Sequence, residues 1–333
     1  MTRPPFPSVI DSSLIAAFRS CPYKAKLDFV QHWKPKSSSV HLHAGAAYAK
    51  ALEVARTAFY LGEYHIPTVT LGADDQGKQT LSVEWAIEQH APGDARASEE
   101  VGLRAMMASY GDFECPSDSA KSLERMCGAY EFYFSQYPLE SDAATPITLP
   151  SGRKGIEFSF AEPIDETHPE TGDPLLYVGR MDMIVDFAGG IYGEDDKTTS
   201  QLGASWGKQW DLRSQFTGYC WGAARMGFPL TGFLVRGVSI LKTKYGTQQA
   251  ITYRPQWMID RWYEQLLRDV KRMKEMWESG VWDMSLDHAC AEYGGCQYRT
   301  VCLSEDPTPW LAIGFERRKW DPVTRMETLV GEG

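Results

Sequence analysis

Asp182, Asp195 and Lys197 are the residues whose types and spacing could do chemistry. They lie in the stretch G-R-M-D-M-I-V-D-F-A-G-G-I-Y-G-E-D-D-K-T-T-S, residues 179–200. Mg²⁺ and Mn²⁺ take carboxylate and water oxygens in octahedral geometry, keep several waters and complete their shell with substrate phosphate. Two carboxylates set side by side could hold such an ion against a phosphodiester. There the ion would polarise the phosphate, lower the pKa of an attacking water and stabilise the leaving oxygen. A lysine ammonium beside that water would orient it and offset charge in the transition state.

That chemistry needs the three side chains on one face, and the pattern around them predicts it. Two strand-like runs flank Gly189-Gly190, a two-residue hairpin signal. With that loop, Ala188 pairs with Ile191, Ile184 falls opposite Asp195, and Asp182 opposite Lys197. Side chains alternate along a strand, so Asp182, Asp195 and Lys197 share a face, within roughly 5–8 Å as direct or diagonal neighbours. The alternative is an exposed hairpin carrying an ordinary Asp–Lys cross-strand pair. Apolar flanks at Val178, Ile184, Val185 and Ile191 favour a buried strand pair instead.

Other segments must position this hairpin. S-S-L-I-A-A-F-R-S-C-P-Y-K-A-K-L-D-F-V, opening at Ser12, has helical spacing, with Ser12 or Ser13 as the expected N-cap. After a serine-rich break at 37–39, H-L-H-A-G-A-A-Y-A-K-A-L-E-V-A-R-T-A-F-Y-L-G-E predicts a long helix. Residues 68–145 are expected to be mainly helical, around 79–90, 96–110 and 118–136. The aromatic stripe there (Tyr130, Phe132, Tyr133, Phe134, Tyr137) is expected to be core. From about 156 the period becomes that of strands, E-F-S-F-A-E-P-I, L-L-Y-V-G-R-M-D-M-I-V-D-F and I-Y-G-E-D-D-K-T. A helix over 204–226, a strand pair over 231–253 turning near Tyr245-Gly246, and an amphipathic helix over 255–279 follow. The order predicts an α/β fold with a mixed sheet.

Composition bounds the rest. The chain of 333 residues is 43% hydrophobic and 23% charged, ordinary for a soluble protein. No apolar run approaches the roughly 20 residues a membrane span needs. M-T-R-P-P-F-P-S-V-I-D-S-S shows no secretion signal, so a cytoplasmic protein without a membrane partner is expected. A formal net charge of −10 argues against a surface coated with basic residues, although a groove could be locally basic. Short basic groups (Lys242 and Lys244; Lys271, Arg272 and Lys274; Arg317, Arg318 and Lys319) are expected to be solvated faces.

Of seven cysteines, Cys290, Cys296 and Cys302 stand six apart near the C-terminus. Clustered cysteines in a reducing compartment point to metal ligation rather than disulfides. Structural zinc and iron–sulfur clusters both take four thiolates, and Cys21 is the best candidate for the fourth. The C-x₂-C pairs usual in zinc ribbons are absent from the spacing. Cys115, Cys127 and Cys220 are expected to be buried small residues.

These motifs together resemble a known superfamily. G-R-M-D, a hairpin and D-D-K-T-T are similar to motifs II and III of the PD-(D/E)XK nucleases, in their RecB-like branch. G-A-A-Y-A-K-A-L-E resembles that branch's helical motif I, with Glu53 as its glutamate, and Q-F-T-G-Y its Q-x-x-x-Y motif, with Gln215 and Tyr219 on one helix face. The cysteine pattern resembles iron–sulfur members of the branch, the AddB-type and CRISPR-adaptation exonucleases.

The resemblance implies a restriction-endonuclease-like core, a mixed sheet flanked by helices, as one domain over 1–333. It further implies a helical insertion over 60–150, a clamp of Cys21 with 285–305 joining the two ends of the chain, and a C-terminal tail over 306–333. Asp182, Asp195 and the Asp196 carbonyl would bind Mg²⁺ or Mn²⁺, Lys197 would be the catalytic lysine, and Glu53 would assist metal or water. Gln215 and Tyr219 would position the DNA strand or the site, and Cys21, Cys290, Cys296 and Cys302 would hold a [4Fe–4S] cluster, with zinc as the alternative. One departure is Ala49, which stands where the branch often has a histidine.

The implied activity is DNA hydrolysis, with an exonuclease favoured over an endonuclease. The implied setting is DNA ends or single strands in recombination, repair or phage DNA processing, with a recombination or replication protein as a further partner. Ala49 keeps a second reading open, a weakly active or inactive DNA-binding scaffold. Trp206, Trp210 and Trp221 could stack bases or pack the core.

Overall fold

In the computed structural model, residues 3–37, 39–73, 79–89, 91–286, 288–291, 295–324 and 326–329 are described. Strand β1 (Val9–Asp11) leads into α1 (Ser12–Ser20), followed by α2 (Pro22–Ala25), a π-helical turn (Lys26–Val30) and β2 (Trp33–Pro35). The cap of α1 is Asp11 rather than a serine. Its carboxylate accepts from the Leu14 amide at 2.7 Å, satisfying one of the amides a helix start leaves open.

The alanine-rich α3 (Val40–Leu61) follows and ends on Gly62 in the left-handed conformation. Then come β3 (Glu63–Ala73), β4 (Gln79–Gln89), α4 (Ala95–Tyr110), α5 (Leu123–Gln136) and β5 (Thr145–Pro146). The helix expected over 79–90 is therefore a strand, paired antiparallel with β3. Leu81, Val83, Trp85 and Ile87 recur at period two, the period of a strand rather than of a helix. The segment between α3 and the sheet is a hairpin plus two helices, not an all-helical insertion.

The sheet strands are β6 (Ile156–Thr167), β7 (Pro174–Phe187), β8 (Gly190–Thr199), β9 (Gly232–Ile240) and β10 (Tyr245–Tyr253). The order β1-β7-β8-β9-β10, with β5 and β6 on the other edge of β7, makes a mixed seven-stranded sheet. β1 and β9 run parallel to their neighbours β7 and β8, and the remaining pairs are antiparallel. This agrees with the expected mixed sheet flanked by helices.

Between β8 and β9 the expected helix is two, α6 (Ala204–Lys208) and α7 (Ser214–Arg225). The β9–β10 turn falls over 241–244, where the Leu241 amide reaches the Lys244 carbonyl, earlier than Tyr245-Gly246. The amphipathic α8 (Gln256–Ser279) is as expected, with Ile259, Trp262, Leu266, Val270 and Met273 recurring on its buried side.

Two cores form on the two faces. α1, α7 and α8 cover one with Phe160, Tyr177 and Phe233; α3, α4 and α5 cover the other with Val238 and Ile240. Tyr130, Tyr133 and Phe134 are buried in the second core. Trp206, Trp210 and Trp221 are buried in the first, so they do not form an open base-stacking platform.

After α8, the short helices α9 (His288–Ala291), α10 (Arg299–Cys302) and α11 (Thr308–Gly314) precede β11 (Phe315–Asp321) and β12 (Met326–Leu329). The expected tail thus has structure of its own, because β11 pairs with β2 on one edge and β12 on the other. Among the described residues, no helix is long and apolar enough to cross a membrane.

Candidate active site

The hairpin that carries the acidic residues turns at Ala188 (φ 51°) and Gly189 (φ 78°), not at Gly189-Gly190. Positive φ at both central residues is what a two-residue turn matched to the twist of its strands requires. Phe187 pairs with Gly190, and the register runs to Met183 against Glu194. Sliding the loop by one residue moves each partner by two, so the face of every side chain survives. Asp182 is one step beyond Met183, facing Asp195 rather than Lys197.

Here the ladder opens. The Asp196 amide donates to Asp182 Oδ2 at 2.9 Å, a side chain accepting where a ladder carbonyl would. β1 and β8 both pair with the same edge of β7, at Leu176–Val178 and Met183–Phe187. Among the described residues no strand covers that edge from 179 to 182. Asp182, Asp195 and Lys197 come together beside this gap.

Asp195 is 4% exposed, and Lys197 reaches its Oδ1 from a side chain that is 32% exposed. Burial pushes the Asp182 carboxyl well above the usual carboxylate range, and the charges of Asp195, Glu157 and Asp196 push it further against the pull of Lys197. Asp195 is raised as well, by burial, with Lys197 opposing. Burial would lower the Lys197 ammonium, but Asp195 and Asp182 outweigh it and hold the proton more tightly than usual. A desolvated carboxylate pair with one ammonium is short of positive charge, and a divalent cation is the species that would supply it. In that sense the oxygen donors fit Mg²⁺ or Mn²⁺. As the side chains stand, no group of three or more His, Cys, Asp or Glu among the described residues is arranged to hold a metal ion.

Glu53, on α3, reaches this centre through an intermediary. It accepts from Lys50 (2.8 Å) and from Arg180 (3.2 Å), and Arg180 also pairs with Glu157. Arg180 and Glu157 were not singled out from the sequence. Arg180 lies two residues before Asp182 and so on its face, a signal that was available. Glu157, in the left-handed region at φ 52°, had none.

Gln215 and Tyr219 do meet, the Gln215 amide donating to the Tyr219 hydroxyl at 3.0 Å. Both line a 210 Å³ cavity with Gly179, Arg180, the amino end of α1, Trp320 and Pro322. Gly179 permits the close approach, since a Cβ there would stand 2.5 Å from the Phe160 ring and 2.7 Å from that of Tyr219.

Behind the site, Glu194 and Asp196 point to the opposite face of β8. Arg56, one turn after Glu53, donates to Glu194 (2.8 Å), to Asp196 Oδ2 (2.6 Å) and to the Tyr133 hydroxyl (2.6 Å). Arg236 grips Asp142 with two bonds (2.5 and 2.6 Å) and lies 3.4 Å from Glu194. Burial pushes the Glu194 carboxyl up to about 7, with Arg236 and Arg56 pulling it down. Because the Asp196 carboxylate is held by Arg56, only its backbone is turned to the face of Asp182 and Asp195.

At the other end of the chain, Cys21, Cys290, Cys296 and Cys302 line one cavity of 360 Å³, with Tyr23, Met284, Leu286 and Tyr298. Burial pushes the Cys302 thiol up to about 11, and the other three cysteines add to it. The four thiols from the two ends of the chain are thus neighbours, while remaining free cysteines. Of the other three, Cys220 is buried as expected, but Cys115 and Cys127 are only half-buried.

The description of the PD-(D/E)XK nuclease superfamily matches residues 12–303. No curated protein matches the chain in sequence. Among solved structures, a Eubacterium rectale protein described as "Putative exonuclease" is 11% identical, covers 85% of this chain and 87% of its own, and superposes with a TM-score of 0.41. The structure of SSO0001 is 15% identical, covers 51% of this chain and 67% of its own, with a TM-score of 0.25. Neither likeness is close enough to bear on function.

Proposed function

Because the chain belongs to the PD-(D/E)XK nuclease superfamily, whose members hydrolyse nucleic acid, we propose that it is a Mg²⁺- or Mn²⁺-dependent DNA exonuclease working at the gap between β1 and β8. The observation that carries this is the half-buried Asp182 and the buried Asp195 beside Lys197 on one face. Asp182, Asp195 and the Asp196 carbonyl would hold the cation. When bound, it would supply Lewis acidity to the phosphodiester and lower the pKa of its water.

Lys197, kept protonated by its two aspartates, donates to the attacking water and to the charge that grows on the phosphate. Glu53 holds Arg180 in place, and Arg180 presents a cation to the strand entering the cavity of Gln215 and Tyr219. Arg56 fixes Asp196 from behind, so that the strand carrying Asp195 and Lys197 cannot rotate. Preference for ends rests on the likeness of the motifs to the RecB-like branch.

Cys21, Cys290, Cys296 and Cys302 would hold a [4Fe–4S] cluster, a structural tie between chain ends 269 residues apart in sequence. A protein that is brown when purified anaerobically, and loses colour and melting temperature together on oxidation, supports the cluster. A colourless protein with one zinc assigns the same thiols to zinc.

The test of function is end-labelled linear DNA against closed circular DNA, each with Mn²⁺. Loss of linear DNA alone is expected. Cleavage of circles would make the protein an endonuclease, and binding without degradation would make it a scaffold, as Ala49 allows.

A further inference from the structure

Trp320 belongs to none of the motifs above, and the structure places it beside the gap in the β7 edge. It borders the 210 Å³ cavity of Gly179, Arg180, Gln215 and Tyr219, and a second cavity of 630 Å³ with His32, Lys319 and residues 5–9. Asp11, Trp320 and Pro322 are common to both, so one cleft runs from the amino-terminal segment past Trp320 to Arg180. Arg180 is two residues, roughly 7 Å of strand, from Asp182. The smaller cavity also adjoins the face of Lys197, since Tyr219 on its wall helps to raise the Lys197 pKa.

Trp206, Trp210 and Trp221 are buried, but Trp320 is half-buried and joins none of the hydrophobic cores among the described residues. Its indole N–H donates to the Asp11 carboxylate, which also accepts from the Leu14 amide at 2.7 Å. The ring is held by its edge, which leaves stacking to its faces. Its strand is held too, β11 pairing with β2 at residues 315–317 and with β12 at 318–321. Asp321 then accepts from the Val323 and Thr324 amides (2.8 and 3.3 Å) and fixes the turn that Pro322 opens. A ring on so fixed a strand loses little freedom on binding. Both acids on the cleft are thus bonded within the protein, while Lys319 is exposed on it. Burial pushes His32 down to about 4, and Lys319, Arg317 and Lys34 add to the push, the mark of a positive field at this wall.

We propose that Trp320 is a stacking platform for one base of a single DNA strand, seating it as the strand passes along this cleft to Asp182, Asp195 and Lys197. The proposal deepens the nuclease reading and rests on it for the identity of the ligand. Every base has a π face, so the platform holds a strand without choosing its sequence. A duplex stacks its bases on one another, so only an unpaired strand can offer a face to the indole.

The test is binding, without Mg²⁺ or Mn²⁺, of a short single strand carrying one 2-aminopurine, moved through its positions in turn. Stacking quenches that base's fluorescence, and wild type is expected to quench it in at least one position. In Trp320→Ala the quench should be lost and Kd should rise about 5- to 150-fold, the range for losing one aromatic–base stack. Trp320→Phe keeps a ring without the Asp11 bond and should retain the quench and most of the affinity. An abasic site at the quenched position should weaken wild type by a similar factor and leave Trp320→Ala unchanged, because both remove one contact. A tryptophan that only holds Asp11 would make Phe as damaging as Ala and the abasic loss equal in both proteins, which overturns the proposal. So does a folded Trp320→Ala that binds and quenches like wild type. Should that variant not fold, Trp320→Leu, with bulk but no π face, takes its place. Wild type that stacks the base but degrades no DNA sinks the nuclease reading and leaves the platform standing. Degradation by a wild type that quenches at no position does the reverse.

Discussion

The two faces of β8 carry the same kind of residue and meet opposite electrostatic fates. On one side Glu194 and Asp196, with Asp142, face Arg56 and Arg236, and nearly every charge has a partner inside the protein. On the other, Asp182 and Asp195 share the single ammonium of Lys197, and Arg180 is already divided between Glu157 and Glu53. Residues adjacent in the chain thus separate into a neutralised network that holds the strand and an under-neutralised pair that calls for a cation. The difference teaches where structure ends and chemistry begins, since a fold can complete its own charges where nothing must bind.

Breaking each face should have a different signature. Asp195→Ala would remove a proposed cation ligand, and the proposed Mn²⁺-dependent degradation of linear DNA should fall below detection while far-UV circular dichroism is unchanged. Activity left intact would remove Asp195 from the site. On the opposite face, Arg56→Ala strands two buried carboxylates, and urea denaturation should show a loss of about 3–5 kcal/mol. A loss under 1 kcal/mol would mean that the network carries no structural weight.

Lys197→Ala should lower kcat by roughly 10²–10³ with little change in KM, as expected for a group that acts on the transition state. A change confined to KM would make it a binding residue. Mn²⁺ at about 100 times its dissociation constant should stabilise the wild type by about 2.7 kcal/mol. That gain should vanish in Asp182→Asn, whose metal-free form should melt no lower than wild type because a like-charge contact is gone. Equal stabilisation of both would place the ion elsewhere. The smallest effect should come from Tyr219→Phe, which deletes one bond to Gln215 and should cost about 1 kcal/mol of stability; a larger loss would give the hydroxyl a further role.

Much of this was legible in the sequence because strand and helix periods are local. The alternation through β6, β7 and β8, the alanine-rich α3 and the stripe of α8 could each be read from their own residues. β4 was legible too, in the period-two spacing of Leu81, Val83, Trp85 and Ile87, although a helix was expected there. Two adjacent glycines made the hairpin loop ambiguous by one residue, and the turn was decided by positive φ at Ala188 and Gly189. The network of Arg56 and Glu194 with Tyr133, Arg236 and, through Arg236, Asp142 was invisible, since these three lie 77, 180 and 86 residues from Arg56 in sequence.

By itself the sequence determined that Asp182, Asp195 and Lys197 share a face, because alternation depends only on the parity of positions along a hairpin. It also singled out, by spacing and type, Cys290, Cys296 and Cys302, with Cys21 as the best candidate for a fourth thiolate. Only the tertiary structure decided that β8 leaves the ladder at Asp182, that Arg56 takes the Asp196 carboxylate, and that Cys21 lies beside the three C-terminal cysteines. These are meetings of distant segments, set by how the sheet and helices pack, and no local period encodes them. Lys121 is the sharpest case. Its sequence neighbours make it one more surface lysine, and only packing made it a buried ammonium bonded to Thr198, with no carboxylate paired to it among the described residues.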